Sequence, residues 1–466
     1  MKNDLQQEYI NSFWDDEILP ALIDYIKIPN KSPGFDPNWE TNGHMDRAID
    51  LVSDWVNHHK PDSSILHVLN EDGRTPLLIL EVPGSLEGNI LMYGHLDKQP
   101  EMEGWCDGMG PWTPVLKNDR LYGRGGADDG YAIFSSVCAV NSLLDQEIAI
   151  PRIVMMIECS EESGSPDLPF YVEHCADIIG SPDLVICLDS GAGNYDQFWM
   201  TTSLRGMIGF TIKVDILKEG IHSGGGSGIV PSSFRIMRQL FSRIEDENSG
   251  QIITKNLHVD IPEHRLNEIK DMVNVLDDEV FNQLPWVNGA GPIDNKVEMV
   301  LNNTWRPMLS TVGADGLPAV KDGGNVLRPY TTLKVSLRLP PSLDAKIARE
   351  TLESVLLKNS PYGAKITLEF EEPAAGWNAP KLSGWLNDAI QFSSETIFGR
   401  PALNMGEGGS IPFMSMLGEK FPKAQFVITG VLGPHSNAHG PNEFLHIPFA
   451  KKLTSCIGII IDAFKK

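Results

Sequence analysis

At 466 residues the chain is too long for one ordinary hydrophobic core, so two domains are expected. An apolar share of 41% with 21% charged residues excludes a disordered polymer, and no apolar run approaches the roughly 20 residues of a membrane span. The formal charge of −24, from 38 Lys and Arg against 62 Asp and Glu, excludes nucleic acid and anionic membranes as natural partners, because the surface repels both.

From the N-terminus, residues 1–6 are polar and Asp15, Asp16 and Glu17 follow, without the apolar segment of a secretory signal; a cytoplasmic protein is expected. Six cysteines (Cys106, Cys138, Cys159, Cys175, Cys187, Cys456) form no Cys-x-x-Cys pair and read as reduced core residues. Helical spacing covers 17–28 and 45–58, and strand-like runs follow at 64–69 and 76–82. Asp128 and Asp129 open a helix predicted to run to about 144, with Ile133, Phe134, Val137, Val140 and Leu143 against a sheet.

Four nearly uncharged runs, 89–94, 152–157, 183–188 and 425–430, read as strands buried on both faces of a parallel sheet. The first leads into His95-Leu96-Asp97, the second into Glu161-Glu162 and the third into Asp189. The fourth leads through a Gly/Pro loop to His435 and His439. In open α/β sheets ligands bind outside the carboxyl ends of the strands, so these imidazoles and carboxylates converge on one crevice. The texture changes near 204. Segments 207–214, 331–339 and 365–370 alternate like half-exposed antiparallel strands, with helices at 232–245 and 345–357, which predicts a two-layer α+β unit. The fourth run must rejoin the first three. The predicted fold is therefore α/β: a discontinuous catalytic domain at 1–203 and 377–466, its central sheet mainly parallel, with an α+β domain inserted at 204–376.

His95 and Asp97 stand two apart on an extended segment and project to the same side, which places Asp97 to hold the second imidazole nitrogen of a metal-bound His95. The glycine-rich segment 123–130 lacks Gly-x-Gly-x-x-Gly spacing and any Lys-Ser/Thr pair, and its adjacent aspartates favour a cation over a phosphate. Glu161 and Glu162, as neighbours in extended chain, point to opposite sides, one towards metal and one towards substrate. Spacing does not choose between His435 and His439. A serine nucleophile is not expected, because Gly408-Gly409-Ser410-Ile411-Pro412 breaks the Gly-x-Ser-x-Gly elbow at its last position.

In order, Gly94-His95-Leu96-Asp97-Lys98-Gln99-Pro100, the stretch from Trp105 through Gly123-Arg124-Gly125 to Asp128-Asp129-Gly130, and Glu161-Glu162-Ser163-Gly164-Ser165 resemble the motifs of a co-catalytic zinc peptidase family. That family includes carnosinase-type and bacterial dipeptidases, carboxypeptidase G, aminoacylases and succinyl-diaminopimelate desuccinylase. The resemblance implies two divalent metal ions per chain, zinc first, with manganese or cobalt acceptable to a carboxylate-rich site. One metal would be held by His95, Asp128 and Asp189, the other by Asp128, Glu162 and His439, whose Asn442-Glu443 at +3 and +4 match the family's last motif. It further implies a cis peptide between Asp128 and Asp129, Glu161 as general acid–base with Asp97 beside it, and a homodimer formed through the insert as a lid. His222 of the lid would reach the partner's site, with Arg338, Asn325, Gly409 and Ser410 contacting substrate. One departure is Gly130, where the family often has Lys. The long insert and an Asp at 189 favour a dipeptidase acting on small peptides. The alternative is an N-acyl amino acid deacylase such as the desuccinylase. A metal-binding protein without turnover is disfavoured by the full set of ligands and base.

Overall fold

The computed structural model describes residues 2–277, 284, 286–293 and 295–464. Six strands form the central sheet in the order Ile65–Leu69, Leu77–Val82, Pro151–Glu158, Leu86–His95, Leu184–Cys187 and Gln425–Ile428. The last four run parallel, and the first two add an antiparallel edge. All four apolar runs lie in this sheet. Alternate side chains serve two separate cores. Ile90, Met92, Ile153, Met155, Leu184 and Ile186 pack with the helices Tyr131–Leu144 and Ile447–Asp462, whereas Leu91, Tyr93, Val154, Met156, Val185 and Cys187 pack with Leu168–His174 and Pro412–Lys420. With helices on both faces there is no wet side, which is why these strands carry apolar residues at successive positions.

The N-terminal helix begins earlier than the sequence predicts. Asn3–Phe13 continues through Trp14–Ile18 into Leu19–Ile26, and its buried stripe of Gln6, Ile10 and Trp14 starts with a polar member. Gln6 Nε2 donates to Ser142 Oγ at 3.3 Å and to the Ser455 carbonyl at 3.4 Å, so an amide occupies a core position.

The second sheet is antiparallel, in the order Met308–Asp315, Tyr330–Leu339, Gly206–Asp215, Lys365–Phe370. Period-two burial of Phe210, Ile212 and Val214 and of Val335, Leu337 and Leu339 faces Ile236, Met237 and Leu240 of Ser233–Phe241 and Ala348, Leu352 and Leu356 of Ala345–Leu357. This two-layer unit has its own core. Two helices that also fall within 204–376 do not belong to it. Glu263–Val275 and Lys296–Thr304 carry Ile269, Met272, Val300 and Leu301 into the first core, which also holds Trp199 and Ala402, and Trp305 follows them there. They cover a three-stranded sheet of Trp377–Asn378, Trp199–Leu204 and Leu403–Glu407. Trp199–Leu204 passes through Arg205 directly into Gly206–Asp215, and the return at Trp377–Asn378 pairs with Leu204 and Ser203.

Five cysteines are buried, but Cys106 is exposed, which corrects the expectation of six core thiols; all six are free. No helix among the described residues is long and apolar enough to cross a membrane.

Gly430 follows the strand Gln425–Ile428 where it passes the segment after Leu184–Cys187. A Cβ there would lie 2.0 Å from the Ser190 carbonyl oxygen and 2.4 Å from its nitrogen. Gly430→Ala must displace main chain and is expected to cost about 1–3 kcal/mol, read as a lowered unfolding midpoint in urea.

Candidate metal centre

Sheet register brings the first ligands together. Tyr93 pairs with Cys187 on adjacent parallel strands, so His95 and Asp189, each two residues on, emerge level at the carboxyl ends. His95 Nε2 lies 3.4 Å from Asp128 Oδ1 and 3.8 Å from Asp189 Oδ2. His439 Nε2 lies 3.0 Å from Asp128 Oδ2 and 3.3 Å from Glu162 Oε2. The result is two triads, His95–Asp128–Asp189 and Asp128–Glu162–His439, with the donor atoms of each within 4.8 Å of one another. Asp128 gives one oxygen to each. Of the two C-terminal histidines it is His439, not His435, that enters a triad.

Asp128 is carried by the turn Gly126–Gly130, and the peptide joining it to Asp129 is cis. Asp129 turns back to the sheet, its Oδ2 accepting from the His95 main-chain N–H at 3.3 Å. Gly130, the departure noted in the sequence, has a local reason. A Cβ there would meet Tyr25 Cε1 at 2.2 Å and the Gly125 carbonyl oxygen at 2.5 Å, so the tyrosine ring occupies the space of a side chain.

Asp97 lies beside the second nitrogen of His95 and has a further task that the sequence did not show. Its carboxylate accepts the main-chain N–H groups of Glu161 and Glu162, each at 3.0 Å. His95 Nδ1 is closer to the Asp97 carbonyl oxygen, at 3.0 Å, than to its Oδ1, at 3.5 Å. This bidentate cap closes a 3₁₀ turn at Glu161–Ser163, so the two glutamates are not in extended chain as predicted. Glu162 joins a triad while Glu161 stays outside both.

Two acidic residues that the sequence reading left without a role steady the site. Glu443, buried, pairs with buried Arg124 and accepts from the Gly125 N–H at 2.9 Å, and Arg124 Nη2 donates to the Gly440 carbonyl at 2.9 Å. The pair clamps the loop of His439 to the glycine-rich approach of Asp128. Glu407 Oε1 accepts from Ser190 Oγ and the Gly191 N–H, both at 2.7 Å, and from Thr201 Oγ1 at 3.0 Å, fixing the turn after Asp189. A lone acid at a strand end carries no motif, and its place just before Gly408 was the only signal.

Electrostatics favour a cation. Burial pushes Asp189 up to about 7 and holds Glu161, Glu162 and Asp129 well above the usual carboxylate range, with neighbouring carboxylates adding to the effect. Burial also opposes ionisation of Asp128, but His439 and His95 outweigh it and hold this carboxyl well below that range. Burial disfavours a protonated His95, yet Asp128, Asp97 and Asp189 raise its pKa well above the ordinary value. Negative charge is crowded beyond what two imidazoles neutralise, which a divalent cation relieves. His95 Nε2 and Glu162 Oε1 are buried without a hydrogen-bond partner, as atoms reserved for coordination are. The imidazole–carboxylate set fits zinc, manganese or cobalt.

The remaining expected residues fall into two groups. Arg338 Nη1 lies 3.3 Å from Ser410 Oγ, next to Gly409. His222 is exposed on the short pairing of Ile221–His222 with Val326–Leu327, its Nδ1 accepting from the Gly224 N–H at 3.1 Å. Asn325 is beside it, its carbonyl accepting from the Ser223 N–H at 2.9 Å. Neither His222 nor Asn325 touches a triad.

Residues 91–464 match the profile of peptidase family M20/M25/M40. The cysteinylglycine-S-conjugate dipeptidase of Corynebacterium striatum is 27% identical over 402 residues, covering 83% of this chain and 84% of the relative. The β-Ala-His dipeptidase of Rattus norvegicus is 25% identical over 393 residues, covering 81% and 78%. Among solved structures, the di-peptidase Dug1p of Saccharomyces cerevisiae superposes with a TM-score of 0.78 at 19% identity, over 99% of this chain and 98% of that one.

Asp97→Ala removes both acceptors of the 3₁₀ turn and should weaken binding of zinc or manganese about 10–100-fold in calorimetric titration, with Glu162 no longer held towards His439.

Proposed function

The chain belongs to peptidase family M20/M25/M40, and from that premise we propose that it hydrolyses the amide bond of dipeptides or small peptides, using two divalent metal ions, zinc first. One observation carries the reading: two triads, the first buried and the second open to solvent at His439, share a single carboxylate, Asp128, at the carboxyl ends of a parallel sheet. The dipeptidases among the relatives support peptides over N-acyl amino acids as substrates.

In this reading His95, Asp128 and Asp189 hold one ion, and Asp128, Glu162 and His439 the other. The bound cations supply positive charge that polarises a carbonyl and acidifies water. Glu161, left outside both triads and held high in pKa by burial, takes the proton of the attacking water on a carboxylate oxygen and returns it to the leaving amine. Asp97 sets the turn that presents it. Arg338, Gly409 and Ser410 receive the substrate's carboxylate, and His222 with Asn325 donates to the developing oxyanion.

The same reading takes the antiparallel unit within 204–376 as a lid and dimerisation domain, and assigns the helices Glu263–Val275 and Lys296–Thr304 with 1–203 and 377–466 to the catalytic domain. Its support is the separate core of the antiparallel sheet and a set of exposed apolar side chains (Ile229, Phe234, Val312, Leu317, Val320, Val326) suited to a second copy. His222, exposed and away from its own triads, fits a role in the partner's site. Free cysteines fit a reducing cytoplasm.

The decisive experiment measures turnover of a dipeptide panel and of N-succinyl and N-acetyl amino acids, with metal content determined on the same sample. Dipeptide turnover at two metals per chain is expected, lost on chelation and restored by zinc or manganese; turnover of the acylated substrates alone would make the protein a deacylase. Glu161→Gln should lower kcat by about 10²–10⁴-fold with metal content unchanged. Mixing His222→Ala with Glu161→Gln subunits should restore part of the activity, and none would return if each site is built within one chain.

A further inference from the structure

We propose that Arg205 is a positioning residue for the carboxylate subsite of Arg338, Gly409 and Ser410, holding the 408–410 turn in shape and adding a second guanidinium without a carboxylate partner beside it. The inference rests on the reading of that subsite given above.

Arg205 is buried at the point where the chain leaves the three-stranded sheet for the antiparallel one. Its main-chain N–H donates to the Glu407 carbonyl at 3.3 Å, its Nε donates to the Gly408 carbonyl at 3.2 Å, and its own carbonyl accepts from Ser410 Oγ. One residue thus holds both ends of the turn. Its other nitrogens reach the end of the helix Lys296–Thr304, Nη1 donating to the Asn302 carbonyl at 3.0 Å and Nη2 to Asn303 Oδ1 at 3.3 Å. Carbonyls at a helix C-terminus lack intrahelical donors and favour a cation. The turn presses on this arrangement, since a Cβ at Gly408 would lie 2.5 Å from Asn303 Oδ1 and 3.0 Å from Arg205 Nη2. Gly409 faces open space. Ser410 Oγ links the two arginines, donating to the Arg205 carbonyl while Arg338 Nη1 approaches it at 3.3 Å.

Charge supports the same role. Among the described residues, every hydrogen bond of the two guanidiniums goes to a carbonyl, an amide or a hydroxyl oxygen, never to a carboxylate. Burial, with repulsion from Arg338, lowers Arg205 to about 10, and burial lowers Arg338. Two neighbouring cations with only neutral partners leave a positive potential that an anionic substrate group neutralises. The anion that a small peptide offers is its terminal carboxylate.

The test compares a dipeptide with its C-terminal amide on the metal-loaded enzyme. Arg205→Met should raise KM for the dipeptide about 10-fold or more, with kcat and the kcat/KM of the amide within about 2-fold of wild type. Arg205→Lys should recover part of the loss, because it keeps the charge but not the fork of donors. Ser410→Ala should raise KM for the dipeptide, and combined with Arg205→Met it should raise it by less than the product of the two effects. Equal losses on acid and amide, an unchanged KM, or fully multiplicative effects would overturn the proposal. If Arg205→Met does not fold, Arg205→Lys and Asn303→Ala, which frees Nη2, decide by the same acid-to-amide ratio. Arg338→Met separates the two readings: if it leaves that ratio unchanged, the subsite itself is wrong. Should the wild type act only on N-acyl amino acids, the dipeptidase reading fails, and an N-acetyl amino acid with its amide still decides the role of Arg205.

Discussion

Asp128 stands between two imidazoles in surroundings that would otherwise protonate it. Burial raises the pKa of every other carboxyl of the two triads, yet Asp128 is held ionised by His95 on one oxygen and His439 on the other. The rest of the site serves this contact. Strand register sets the height of His95 and Asp189, the Arg124–Glu443 pair holds the loop that delivers His439, and the Asp97 cap turns Glu162 towards it. The crowding of Asp189, Glu161, Glu162 and Asp129 around one ionised carboxylate is stable only with protons or cations among them. The demand for a cation therefore belongs to the fold around Asp128 rather than to any single ligand.

Much of this was legible because the chemistry sits next to the strongest sequence signal. Strands covered on both faces admit no polar alternation, so 89–94, 152–157, 183–188 and 425–430 stand out, and the residues that follow them are the ones the crevice uses. The ends of Ala345–Leu357 and Lys365–Phe370 agree with expectation for a related reason: each has one clean apolar face. Illegible features were those in which a polar group does the work of an apolar one, or in which the partner is remote in sequence. Gln6 fills a core position through two hydrogen bonds. The helix Glu263–Val275 shows too many charged residues between Ile269 and Met272 and their neighbours to announce itself. Asp97 was legible as a neighbour of His95 because the two are near in sequence, but not that its carboxylate also binds main chain more than sixty residues away. Glu407 and Glu443 belong to the same class, acids whose acceptor oxygens are committed to groups remote in sequence: the Ser190 and Thr201 hydroxyls and the Gly191 N–H for one, the Arg124 guanidinium and the Gly125 N–H for the other.

The two sheets meet at a narrow junction. Leu204, Arg205 and Gly206 lead out, Trp377 and Asn378 lead back, and a Cβ on Gly376 would lie 2.8 Å from the Gly206 nitrogen. Such a crossing alone would leave the antiparallel unit attached by two strands. The helices Glu263–Val275 and Lys296–Thr304 alter this, since they return to the first core and pack against the strand Leu403–Glu407.

That return makes the stretch 204–376 unsuited to exchange as a module. Cutting at 204 and 376 and grafting in a shorter segment would strip Ile269, Met272, Val300, Leu301 and Trp305 from the first core and uncover the strand Leu403–Glu407 that carries Glu407 to the turn after Asp189. Change in the stretch 204–376 and change in the strand that carries Glu407 are coupled in this chain through the helices Glu263–Val275 and Lys296–Thr304.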